Sequence, residues 1–96
     1  IYVTLASVEE QFLVFQSLEI WPNPSRENLF LAFSNSTETS VSFEISNSIG
    51  QIVKTGSIKA LSGEKSIISV ENLAQGVYSL KLSNNTSFIN YKFVKQ

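Results

Sequence analysis

From Leu18 onward, apolar and polar residues alternate in short runs separated by turn-forming residues, the pattern of an all-β sandwich or barrel. Val41, Phe43 and Ile45 alternate with Ser42, Glu44 and Ser46, which predicts a strand with one buried face. Tyr78, Leu80 and Leu82 alternate in the same way with Ser79, Lys81 and Ser83. Leu18-Glu19-Ile20-Trp21 reads as a first strand, stopped by Pro22-Asn23-Pro24. Two fixed φ angles and two missing N–H donors force the chain out of the sheet there. Asn28 to Phe33 is apolar on both faces, which predicts a central strand covered on each side.

The turns are legible between these runs. Asn47-Ser48-Ile49-Gly50 predicts a turn with Gly50 available for positive φ, followed by a fourth strand over Gln51 to Ser57 that pairs with the third. Leu61-Ser62-Gly63-Glu64 turns the chain into Lys65 to Val70. Glu71 to Gly76 is a crossing loop in which Leu73 plugs the core. Tyr78 is expected to bury its ring and hydrogen-bond its hydroxyl at the sandwich edge. Asn84-Asn85 is a tight turn of residues that tolerate left-handed geometry, and Thr86 to Lys95 is the last strand. About seven strands in this order predict an immunoglobulin-like antiparallel β-sandwich.

Ile1 to Ser17 differs. Ile1-Val3-Leu5 reads as a strand left from a preceding domain, and Ser7-Val8-Glu9-Glu10 resembles a capping box with Val8, Phe12 and Phe15 at helical spacing. A short helix and a linker both fit this stretch. The expected organisation is therefore a sandwich over 18–96, with 1–17 as a linker or the end of a passenger domain. The chain start has no charged n-region, long apolar region or initiator Met, so the chain is expected to derive from a longer protein.

Composition narrows the chemistry. Charged residues make up 16% of the chain, below the usual share of about 25%, and Ser, Asn and Thr fill the surface instead. The net charge is −1 and the basic residues are scattered, so no electrostatic footprint for nucleic acid exists. No apolar run approaches the ~20 residues of a membrane helix, so no transmembrane segment is expected. The chain contains no Cys, His, Asp or Met. The common zinc, copper and haem ligand sets and a Ser-His-Asp or Cys-His nucleophile system therefore cannot be assembled within it. No catalytic, metal-binding or cofactor-binding residue is expected. Trp21 invites a sugar-stacking role, but a lone Trp with no acidic or amide cluster reads first as a core or interdomain anchor. Glu9-Glu10 reads as a solvated pair rather than an acid/base pair.

Three local features occupy particular places in the strand pattern: Trp21-Pro22-Asn23-Pro24 after the first strand, Asn47-Ser48-Ile49-Gly50-Gln51-Ile52-Val53 in the middle, and Leu73-Ala74-Gln75-Gly76-Val77-Tyr78 before the last two strands. In this order they resemble the C-terminal sorting domain of the type IX (Por) secretion system. That family opens with an aromatic-Pro-Asn-Pro motif, carries a D-x-x-G-(R/K/Q)-x-V turn and an L-x-x-G-x-Y motif, and finishes on a short basic strand. Trp21 stands where Tyr or Phe is more usual, and Asn47 where Asp is common; both changes are physically mild. The resemblance covers Leu18 to Gln96. Its signature residues here are Trp21, Pro22, Asn23, Pro24, Gly50, Leu73, Gly76, Tyr78, Lys92, Phe93, Val94 and Lys95.

The resemblance implies a tag that directs an upstream passenger in the same chain across the outer membrane. Its implied partners are an outer-membrane shuttle barrel, a translocon and a sortase-like cysteine peptidase that removes the tag by cutting between Ile1 and Ser17. The passenger would reach the outer-membrane surface or the medium. The final strand, Phe88 to Lys95, is expected to present the recognition edge, with Tyr91 and Phe93 toward the core and Lys92 and the terminal carboxylate available to a partner. Two other classes fit the sandwich pattern: a fibronectin-III-like structural or adhesion module, and a carbohydrate-binding module.

Overall fold

The computed structural model describes residues 18–34, 39–85 and 87–96. The expected linker or helix over 1–17 lies outside them. Among the described residues the strands are β1 (Leu18–Trp21), β2 (Asn28–Phe33), β3 (Thr39–Ser46), β4 (Ile52–Ala60), β5 (Lys65–Ser69), β6 (Gly76–Ser83) and β7 (Phe88–Lys95). They form two antiparallel sheets, a three-stranded one in the order β1-β2-β5 and a four-stranded one in the order β4-β3-β6-β7. The all-β sandwich expected from alternation is what the chain builds.

The period-two pattern explains the core directly. Leu29, Leu31 and Phe33 on β2 meet Val41, Phe43 and Ile45 on β3, and Tyr78, Leu80 and Leu82 on β6, in one buried cluster. Each such side chain taken from water contributes roughly 1.5–3 kcal/mol, so register is strongly specified wherever this face is buried. Phe93 of β7 is fully buried, and Leu73 and Tyr91 pack at the margin. Leu73, expected to plug the core, packs half-buried against its margin.

The turns follow their residues. Gly50 and Gly63 adopt φ of 88° and 87°, in the left-handed region that favours glycine. Asn47 closes the β3–β4 hairpin with its side chain: its Oδ1 accepts from the Ile49 and Gln51 amides at 3.1 and 2.9 Å. The β6–β7 turn is tight, as expected, with the Asn84 amide donating to the Ser87 carbonyl at 3.0 Å, and no non-glycine among the described residues has positive φ. Asn84 also caps the turn by accepting the Ser87 amide on Oδ1 at 3.0 Å.

Two further expectations change. β2 is central, between β1 and β5, but only one of its faces is buried. Its other face is half covered, because no third layer among the described residues packs on the outer side of this sheet. Phe30 there meets the Trp21 ring at 5.8 Å and the Lys65 ammonium at 4.7 Å. The fourth strand also runs past Ser57 to Ala60, carried through Gly56 and Lys59 by its ladder with β3. Gly56 lies opposite Phe43, and a Cβ built on it would stand 2.7 Å from that ring. The missing side chain is what lets Phe43 lie across β4.

Gly56→Ala is therefore expected to overpack the core and destabilise the fold by about 1–3 kcal/mol. A urea unfolding titration should show a lower midpoint with an unchanged slope.

Candidate recognition site

Strand register sorts the loops onto two poles. Trp21 pairs near the start of β2, Ser46 with Ser79, and Gly76 with Lys95. The Trp21–Glu27 connection, the Asn47–Gln51 hairpin, the Glu71–Gln75 loop and the end of β7 therefore share one pole. At the opposite pole Leu18 pairs with Phe33 and Ser83 with Phe88. All the signature positions read from the sequence lie at or next to the first pole, and the chain enters the sandwich at the other. Eight residues of β6 separate the two, about 25 Å at ~3.3 Å per residue.

The most informative contact at the signature pole joins its first and last motifs. The prolines do end β1, and both X-Pro bonds are cis. The chain then returns to the outer edge of β7, on the side away from β6. Asn23 Oδ1 accepts the Val94 amide at 2.9 Å, and Asn23 Nδ2 donates to the Lys92 carbonyl at 3.3 Å. The Ser25 amide donates to the Val94 carbonyl, and the Gln96 amide to the Ser25 carbonyl, both at 2.8 Å. Together these make a short parallel bridge between Ser25 and Lys95. A side-chain amide carries the same donor and acceptor as a peptide unit, so Asn23 substitutes for one residue of an edge strand.

This clamp occupies part of the edge expected to meet a partner. From Lys92 to Gln96 the outer edge of β7 is already hydrogen-bonded to Asn23 and Ser25. Its first part, from Phe88 to the Lys92 N–H, is met neither by a strand nor by that connection among the described residues. Ser25 itself is fully enclosed, and Lys95 is 8% exposed with its Nζ donating to the Gln96 carbonyl at 2.9 Å.

The remaining signature residues divide by role. Tyr78 is buried, its hydroxyl donates to the Ala74 carbonyl at 2.7 Å, and its ring stacks on Phe93 at 5.6 Å. This is the edge hydrogen bond expected from the sequence. Gly76 takes φ of 155° where the loop joins β6, and Gly50 sits in the hairpin. Trp21 does not anchor the core; it is 38% exposed and leans on Phe30 on the outer face. Pro22, Pro24, Lys92 and Val94 are exposed. Surface depressions lined by Arg26 and Gln96 lie beside them, one reaching Gln75 and Lys95, the other Pro22, Pro24 and Phe30. Sequence reasoning missed Ser25, Arg26 and Gln96, because nothing local tells a loop residue that it will meet a strand some seventy positions later. Among the described residues no group of acidic side chains is placed to hold a metal ion, and no helix is long and apolar enough to cross a membrane.

The described residues thus form a small two-sheet sandwich whose sequence signatures gather at one pole. The family model of the secretion system C-terminal sorting domain matches residues 19–96, and the chain belongs to that family. Its function is that of a C-terminal sorting signal for type IX secretion. No curated protein matches the chain.

Asn23→Ala should expose the Val94 amide and speed its hydrogen exchange, at a stability loss of about 1 kcal/mol. Asn23→Asp keeps the acceptor and should leave that amide protected. Tyr78→Phe removes only the bond to Ala74 and should lower stability by about 1 kcal/mol in the same urea titration.

Proposed function

We propose that the machinery of type IX secretion reads the signature pole of the folded domain while the passenger is carried at the opposite pole. The observation that carries this reading is the separation itself: Leu18 enters at one end of the strands, and Trp21 to Pro24 and Lys92 to Lys95 converge at the other. An outer-membrane shuttle barrel can then hold the tag without touching its cargo. A sortase-like peptidase can reach the segment 1–17, where the scissile bond is placed on this reading. The passenger ends at the outer-membrane surface or in the medium. Trp21, Pro22, Pro24, Lys92 and Val94 offer side chains to the partner. Asn23, Gly50, Leu73, Gly76, Tyr78, Phe93 and Lys95 hold the shape of the pole. The domain itself performs no chemistry.

The sandwich is read as immunoglobulin-like. β1, β2 and β5 occupy the places of strands A, B and E, and β3, β6 and β7 those of C, F and G. The Tyr78 hydroxyl bonded four residues upstream supports this as a tyrosine corner. β4 departs from the constant-type pattern by pairing with β3 instead of β5.

The test is export of a periplasmic reporter fused ahead of the chain in a host with a type IX system. Truncation from Tyr91 should abolish release. Lys92→Glu, on an exposed side chain that leaves the fold intact, should reduce it several-fold. Undiminished export of both fusions would overturn the reading.

A further inference from the structure

The unpaired part of β7 has a property that the export reading does not require: it is complementary to itself. The clamp shows which way the backbone points. Lys92, Val94 and Gln96 direct their bonded groups away from β6. Strand periodicity then aims the N–H and C=O of Phe88 and Asn90, and the N–H of Lys92, out of the same edge. Three other sheet edges are crossed by a side chain from the facing sheet. Lys54 Nζ donates to the Ser69 carbonyl at 2.8 Å, Ser66 Oγ to the Lys59 carbonyl at 2.7 Å, and the Tyr91 hydroxyl makes a long contact of 3.5 Å to the Ile20 carbonyl. No described residue crosses the Phe88–Lys92 edge. It is bounded on one side by the Asn23 clamp and on the other by the Asn84–Ser87 turn, which leads back to β6.

We propose that this edge pairs with the same edge of a second copy of the chain, antiparallel about Asn90. Asn90 then faces Asn90 of the other copy, and Phe88 faces Lys92 in both directions. A lysine over a phenylalanine ring is a contact the domain already makes twice, between Lys81 and Phe88 at 4.9 Å and between Lys65 and Phe30. On the inner side the same register sets Ile89 against Tyr91, both only half buried in the single chain. Phe88, 59% exposed, gains cover. The Lys92 carbonyl keeps its bond from Asn23 and accepts the new one on its second lone pair. The clamp and the turn limit the overlap to this stretch, pairing about Asn90 uses all of it, and the two four-stranded sheets join into one. The symmetry is closed and isologous, and the contact is small, which makes the dimer weak and concentration-dependent.

The cysteine-free chain gives a clean test. Directly opposed, hydrogen-bonded residues have Cα atoms about 5.5 Å apart, within disulfide reach. Asn90→Cys should therefore cross-link under mild oxidation at high protein concentration at least about tenfold faster than Ser57→Cys, an exposed position on β4. Adding Phe88→Lys to Asn90→Cys sets like charges opposite Lys92 twice and should slow cross-linking by roughly tenfold. Sedimentation of the unmodified chain should show association rising with concentration, with the Phe88 and Asn90 amides exchanging freely when dilute. Equal cross-linking at 57 and 90, no effect of Phe88→Lys, or a strict monomer at millimolar concentration overturns the proposal. So does protection of the Phe88 and Asn90 amides in the dilute monomer, which would mean that the chain's own residues cover the edge. None of these outcomes depends on export.

Discussion

Among the described residues β7 has a neighbouring strand on one side only, and the way its other side is satisfied organises the signature pole. Its inner residues are committed to the core through Phe93, so the strand must stay flat against β6 to its end. Backbone groups on the outer edge would then face solvent or invite a foreign strand. The connection from β1 to β2 supplies the partner. Two prolines swing the chain out of the first sheet, and the Asn23 side chain and Ser25 backbone complete the ladder of the second. Two sequence signatures 71 residues apart are therefore one structural unit.

The third signature joins the same unit from inside. Tyr78 stacks on Phe93, and its hydroxyl pins the Glu71–Gln75 loop through Ala74. Gly76 pairs with Lys95, the residue bridged to Ser25. Most of what marks the family in this chain thus holds a shape, and fewer side chains are offered outward. That division suits a tag. On the proposed reading, the partner needs a rigid pole to recognise, placed away from the cargo.

The alternation in β3, β6 and β7, the Asn47–Gly50 turn and the corner role of Tyr78 were determined by the sequence itself, because each depends on neighbours a few positions away. The same is true of the three motifs by which the sorting domain is recognised. Other features depended on which distant segments meet. Gly56 carries no local signal; its meaning comes from Phe43 on the paired strand. Trp21 reads as an anchor until the sheets place it on the outer face against Phe30, where no third layer among the described residues covers it. Pro22-Asn23-Pro24 reads as a strand terminator, and it is one. Only the tertiary structure turns it into a clamp on β7, since periodicity states which face a residue occupies and never which strand will lie beside it.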